Sequence, residues 1–168
     1  RFRGKQLRAA LVLLSGEATG NTADEHPQVA AVVELIHLAT LVHDDILDGA
    51  EVRRRVACVN QRWDNQTAVL LGDFLYARAF ALSTELSSRL ASRLLAETTR
   101  RICVGEIDQA AGRYDFDLSR ARYEEIAGAK TASLYAAAVE LGARYPGGNE
   151  ATGAQMRAFG WELGLAFQ

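Results

Sequence analysis

Leu7, Ala10, Leu11, Leu14 and Ala18 return every three or four residues, the spacing that lines one face of a helix, and Gly20-Asn21 supplies its stop. After a turn over Asp24 to Pro27, the positions Val29, Val32, Val33 and Ile36 begin a longer helix that Gly49 ends. A polar loop through Arg53, Arg54, Arg55 and Asn60 follows. From about Gln66 to Leu82 the chain is almost wholly apolar apart from Asp73 and Arg78, which predicts a central helix. A fourth helix is expected from about Ser88 to Ala110. Asp115 to Ser119 break the pattern and cap a short helix holding Tyr123, Glu124 and Ile126. Lys130-Thr131 is expected to open another helix through Leu141, which stops at Gly142 and Tyr145-Pro146-Gly147-Gly148, and Asn149 to cap the last one.

Only two prolines occur, Pro27 and Pro146, among abundant alanine and leucine, so the composition fits long helices and not a sheet. The expected fold is an all-α antiparallel helical bundle. With 168 residues and 49% hydrophobic content the chain can bury one core, and no linker divides it, so residues 1–168 read as one domain. A net charge of -2 gives no global basic field and argues against nucleic acid as a partner. Cys58 and Cys103 have neither Cys-x-x-Cys spacing nor a disulfide framework, which suits two core thiols in a reducing cytosol. No apolar run approaches the roughly 20 residues of a membrane span and no signal peptide is visible, so a soluble cytoplasmic chain is expected. Arg1 is not an initiator methionine, and Gln168 falls inside the apolar pattern Met156, Phe159, Gly160, Leu163, Phe167; a chain cut at both ends is expected.

The chemistry concentrates between residues 37 and 54. At 100° per residue His37, Leu41, Asp44 and Asp48 fall within about 60° of one another, so one helix face carries an imidazole and two carboxylates a turn apart. Asp44, Asp45 and Asp48 stand near a helix C-terminus, where each negative charge is unfavourable by roughly 0.3–1 kcal/mol unless a cation compensates. Oxygen ligands favour Mg²⁺, which binds one or two carboxylates and keeps water and phosphate as its other ligands. Arg53 and Arg54 follow closely, and arginine forks match phosphate oxygens in pairs. Lys5 and Arg8 lie one turn apart at the first helix. Lys130 is placed at a helix start, where free N–H groups favour an anion, and Thr131 adds a hydroxyl. His43 points away from this face. A bundle would gather such groups in its core from facing helices.

The ordered set Gly4-Lys5-x-x-Arg8, Glu34-Leu35-Ile36-His37, Asp44-Asp45-x-x-Asp48, Arg53-Arg54, Gly72-Asp73, Gly105-Glu106-x-x-Gln109, Lys130-Thr131 and Phe167-Gln168 closely resembles the trans-isoprenyl (polyprenyl) diphosphate synthases, over essentially the whole chain. The resemblance implies the isoprenoid synthase bundle and head-to-tail prenyl transfer, in which an allylic diphosphate ionises and isopentenyl diphosphate attacks the carbocation. It implies that Asp44 and Asp48 hold Mg²⁺, that Arg53, Lys130, Thr131 and Gln168 bind the allylic diphosphate, and that Lys5, Arg8, His37 and Arg54 bind isopentenyl diphosphate. Asp44, Asp48, Lys130 and Thr131 are then the catalytic set. A homodimer is implied as well.

Family members usually carry a second aspartate-rich motif a few residues after Phe-Gln, beyond Gln168, so the 168 residues alone are expected to be inactive. The first basic motif lacks the arginine and proline usual around it, which bears on how the first helix starts. Arg55 stands where a small residue is common. Product length in this family is limited by residue size just upstream of the first aspartates; Ala39 and Thr40 are small, which points to a long polyprenyl product. Two rival readings are a non-catalytic regulatory subunit of a heteromeric synthase and a class I terpene synthase. The intact acids speak against the first, and Lys5, Arg8, His37 and Arg54 together against the second.

Overall fold

The computed structural model describes residues 5–168; Gly4, at the head of the first basic motif, lies outside them. The helices are α1 (Leu7–Thr19), α2 (His26–Leu47), α3 (Val59–Arg62), α4 (Asn65–Glu85), α5 (Leu90–Ala111), α6 (Arg120–Ala127), α7 (Ser133–Arg144) and α8 (Glu150–Phe167); all but the one-turn α3, in the expected polar loop, fall where the periodicity places a helix. Their ends obey local chemistry. Gly20 ends α1 in the left-handed conformation at φ 68°, and Pro27 stands in the first turn of α2. The side chains of Asp64, Ser119 and Asn149 accept hydrogen bonds from backbone N–H groups at the starts of α4, α6 and α8.

The core gathers Val12 from α1, Val29, Val32, Val33 and Ile36 from α2, Leu95 and Ile102 from α5, and Leu134, Ala137, Ala138 and Leu141 from α7. α7 is the central rod: every residue from Ser133 to Ala143 is buried, and it packs against α1, α2, α5 and α8. Small residues let it do so. A Cβ on Gly160 of α8 would lie 2.8 Å from the Tyr135 carbonyl oxygen, and one on Gly164 would lie 2.9 Å from the Ala132 Cβ. Backbones thus approach where a side chain would hold them apart.

Five expectations are corrected. The apolar α4 is not central: it packs on α2, buries Ala68, Gly72, Ala79 and Ser83, and leaves Val69, Leu70 and Phe74 exposed. Its composition records an apolar face that no other described residue covers. Gly142 does not stop α7, which runs on to Arg144. That glycine is buried because a Cβ would collide with the Val12 carbonyl and the Ser15 hydroxyl, so it marks the α1–α7 crossing. Lys130 is not at a helix start. α6 continues through a π-helical turn, Gly128–Ala132, directly into α7, and the backbone N–H groups there are engaged in the helix. Lys5 is not on α1, because Gln6, in a left-handed conformation at φ 48°, precedes its first residue. The arginine loop holds a small sheet, β1 (Val52–Arg53) paired antiparallel with β2 (Val56–Ala57). Among the described residues no helix is long and apolar enough to cross a membrane.

Candidate diphosphate and metal site

The C-terminal half of α2 presents its polar residues to two neighbourhoods. In the first, Asp44 faces Asp48, Glu106 on α5, and the cations Lys130 and Arg53. Burial first, then the Glu106 and Asp48 charges, raise its carboxyl pKa against the opposing pull of Lys130 and Arg53, to about 6 in all. Lys130 Nζ lies 2.8 Å from Glu106, so α5 and the π-helical turn are tied across the site. Gly105 makes this approach possible: a Cβ there would lie 2.8 Å from the Ala129 Cβ and 3.1 Å from the Lys130 backbone nitrogen. One residue on, the Thr131 hydroxyl donates to Gln168 Oε1 at 2.8 Å. Asp48, the last residue of α2's hydrogen-bonded run, is exposed.

Asp45 does a different job. It is buried, and Arg53 Nε donates to its Oδ1 at 2.6 Å, while Asn60 Nδ2 reaches the carbonyls of Asp45 at 3.3 Å and Ala50 at 3.2 Å. These bonds dock the arginine hairpin onto the end of α2. Arg54 and Arg55 form its two-residue turn, both left-handed at φ 52° and 66°. Two-residue hairpins favour this turn because its twist matches the strands, but for residues with a Cβ it costs roughly 1–2 kcal/mol each.

The second neighbourhood is more basic. Arg8 Nη1 lies 2.9 Å from His37 Nε2. Burial, reinforced by Arg8, Arg54 and Arg53, lowers the His37 pKa to about 3, so the imidazole is neutral and its Nε2 lone pair accepts from the guanidinium. Glu34, one turn before His37, has its pKa raised by burial against the pull of Arg8 and Arg54. Lys5 is exposed. His43 does lie apart from both neighbourhoods: its Nε2 is 3.2 Å from the Val69 carbonyl and 3.4 Å from Asp73, and a Cβ on Gly72 would overlap its ring. Ala39 is wholly buried, and the Thr40 hydroxyl donates to the His37 carbonyl at 2.7 Å.

Of the residues singled out in the sequence, Asp44, Asp48, Arg53 and Lys130 converge on one side, and Arg8, His37, Arg53 and Arg54 on the adjoining side. Thr131 and Gln168 meet each other. Glu106, Glu34 and Tyr135 received no role from the sequence, because their partners lie 24, 26 and 127 residues away in Lys130, Arg8 and Arg8 respectively. No spacing rule links such pairs. Among the described residues no cluster of three or more His, Cys, Asp or Glu is disposed to hold an ion unaided. The carboxylate oxygens of Asp44 and Asp48 are donors of the kind a hard divalent cation takes, and the cations around them are of the kind a diphosphate takes.

Comparison with known proteins agrees. The family model described as polyprenyl synthetase matches residues 1–168. The chain is 34% identical to octaprenyl diphosphate synthase of Escherichia coli, over 98% of this chain and 51% of that protein. It is also 34% identical to component 2 of the heptaprenyl diphosphate synthase of Bacillus subtilis, over 98% of this chain and 47% of that one. A polyprenyl synthase from Caulobacter crescentus, solved in complex with calcium and isoprenyl diphosphate, superposes with a TM-score of 0.95 at 44% identity, covering 98% of this chain and 50% of that one. The chain spans about half the length of these relatives. From its motifs, its bundle and these relatives together, the chain belongs to the polyprenyl synthetase family.

Proposed function

We propose that the intact protein is a Mg²⁺-dependent prenyltransferase that joins an allylic diphosphate head-to-tail to isopentenyl diphosphate and builds an all-trans, long-chain polyprenyl diphosphate. The observation that carries this reading is Asp44. Its carboxylate is half-buried beside two other acids and faces Lys130 and Arg53, so a divalent cation and a diphosphate would relieve the charge imbalance together. In this reading Asp44 and Asp48 hold the ion, which when bound acts as a Lewis acid on the departing diphosphate.

The chain's own groups do the rest. Lys130 exchanges Glu106 for the allylic diphosphate, and Thr131, Gln168 and Arg53 add donors on the same side, with Arg53 keeping Nε on Asp45. Arg8, Arg54, His37 and Lys5 hold isopentenyl diphosphate. As the allylic carbon–oxygen bond breaks, its electron pair leaves with the diphosphate oxygen and these side chains stabilise that charge; the double bond of isopentenyl diphosphate attacks the allylic carbocation, and the adduct gives a proton to the departed diphosphate to form the new double bond. The small Ala39 and Thr40 upstream of Asp44 support a long product.

The residues 1–168 form part of one synthase domain in this reading. The protein works in the cytosol as a homodimer; Cys58 and Cys103 being free thiols supports the compartment, and the exposed Val69, Leu70 and Phe74 of α4 support an assembly. The acids Asp44 and Asp48 favour a catalytic chain over a regulatory subunit. The test is extension of a labelled allylic diphosphate by isopentenyl diphosphate, with and without Mg²⁺, on the intact protein. Asp44→Ala with Asp48→Ala is expected to cut the rate at least about a hundredfold; turnover that survives the double change, or needs no divalent cation, removes the metal assignment.

A further inference from the structure

Arg8 is held in an unusual way for a half-buried guanidinium. Among the described residues no carboxylate lies within ion-pair distance of it, its Nε has no hydrogen-bond partner, and its one hydrogen bond runs from Nη1 to His37 at 2.9 Å. Its guanidinium carbon instead lies over the Tyr135 ring, 4.6 Å from the centroid. Tyr135 belongs to the central rod α7 and is 0% exposed. Its hydroxyl is buried without a partner among the described residues, so neither solubility nor a hydrogen bond accounts for an oxygen there. The ring also packs 5.5 Å from Phe167, next to the Gln168 that accepts from Thr131.

These contacts divide the work of orienting one cation. A guanidinium binds diphosphate well only when its planar fork is aimed at two oxygens, and a side chain this long has many rotamers to lose. His37 occupies one N–H and sets the rotation of the fork. An aromatic face beneath the plane sets its tilt, through attraction between the cation and the ring's negative face, which strengthens away from water. Neither contact neutralises the positive charge, and Glu34 attracts it only from beyond ion-pair distance, so the fork stays available to an anionic ligand.

We propose that Tyr135 is a positioning residue for isopentenyl diphosphate: its ring fixes the plane of the Arg8 guanidinium against which that diphosphate docks. The inference rests on the reading of Arg8 as a diphosphate ligand. It concerns the ring and not the hydroxyl, and a role as volume filler is told apart by its dependence on Arg8, which lost packing alone would not show.

The test uses calorimetric titration of isopentenyl diphosphate and steady-state kinetics on the intact protein. Tyr135→Phe keeps the ring and is expected to bind within about twofold of the parent. Tyr135→Leu and Tyr135→Met, which remove the ring and leave a smaller apolar side chain, are expected to weaken binding about tenfold, in the range of a desolvated cation–ring contact. The loss should appear in KM for isopentenyl diphosphate, with kcat and KM for the allylic substrate unchanged, and should vanish in an Arg8→Ala background. Parent-like binding by Leu and Met, equal losses in Phe and Met, or both KM values moving together overturns the inference while leaving the enzyme reading intact. If the parent itself fails to bind isopentenyl diphosphate, both fall.

Discussion

At His37 a neutral imidazole is built into a basic pocket, and the consequence is a specific dependence on pH. Burial and the nearby Arg8, Arg54 and Arg53 lower its pKa from 6.5 to about 3. Above pH 6.5 the residue is neutral in both folded and unfolded chains and contributes no slope. As pH falls from 6.5 towards 3 the unfolded chain takes a proton that the folded one refuses, so stability drops by about 1 kcal/mol per pH unit. Urea unfolding at pH 7 and pH 5 should show this decline, and His37→Gln should flatten it; an unchanged slope in the variant would assign the acid sensitivity elsewhere. The adjacent acids Asp44 and Asp45 show what residue identity alone leaves open. Both are aspartates at a helix end, yet Asp45 turns inward to Arg53 and Asp44 outward to Lys130, because successive positions on a helix differ by 100°.

Among the elements, the hairpin between α2 and α3 combines the greatest local strain with the most basic sequence. Its turn sets Arg54 and Arg55 at positive φ, and the ion pair from Arg53 to Asp45 with the Asn60 bonds holds it there. Arg54 belongs to the basic neighbourhood of His37, whereas Arg55 is exposed. Arg55→Gly is therefore expected to raise unfolding stability by up to about 1 kcal/mol, since glycine adopts this conformation freely while adding some unfolded-chain entropy. Denaturant midpoints would measure it, and a destabilised variant would mean that the Arg55 side chain contributes more than its backbone costs. The π-helical turn is the other element that local pattern could not resolve. Lys130-Thr131 reads as a helix start after Gly128, but a widened turn keeps α6 and α7 continuous and carries Lys130 across to Glu106.

For the molecule as a whole, acids from α2 and α5 face cations from the hairpin and the π-helical turn, so ligand binding should be felt as stability of the fold. Pyrophosphate with Mg²⁺ at a hundred times its dissociation constant is expected to stabilise the intact protein by about 2.7 kcal/mol, read as a rise in thermal midpoint. Asp44→Ala with Asp48→Ala should abolish the rise. A shift that survives would place the binding elsewhere. By itself the sequence determined the long helices, the ends at Gly20, Ser119 and Asn149 and the residues that could carry charge chemistry, because periodicity, capping and charge are properties of near neighbours along the chain. It could not show that α7 is the central rod and α4 a half-exposed one, since both are rich in apolar residues and only packing decides which faces meet. The pairings Lys130 with Glu106, Thr131 with Gln168 and Arg8 over Tyr135 were decided by tertiary structure alone, because each joins segments far apart along the chain whose mutual approach is set by glycines and core volume at the helix crossings.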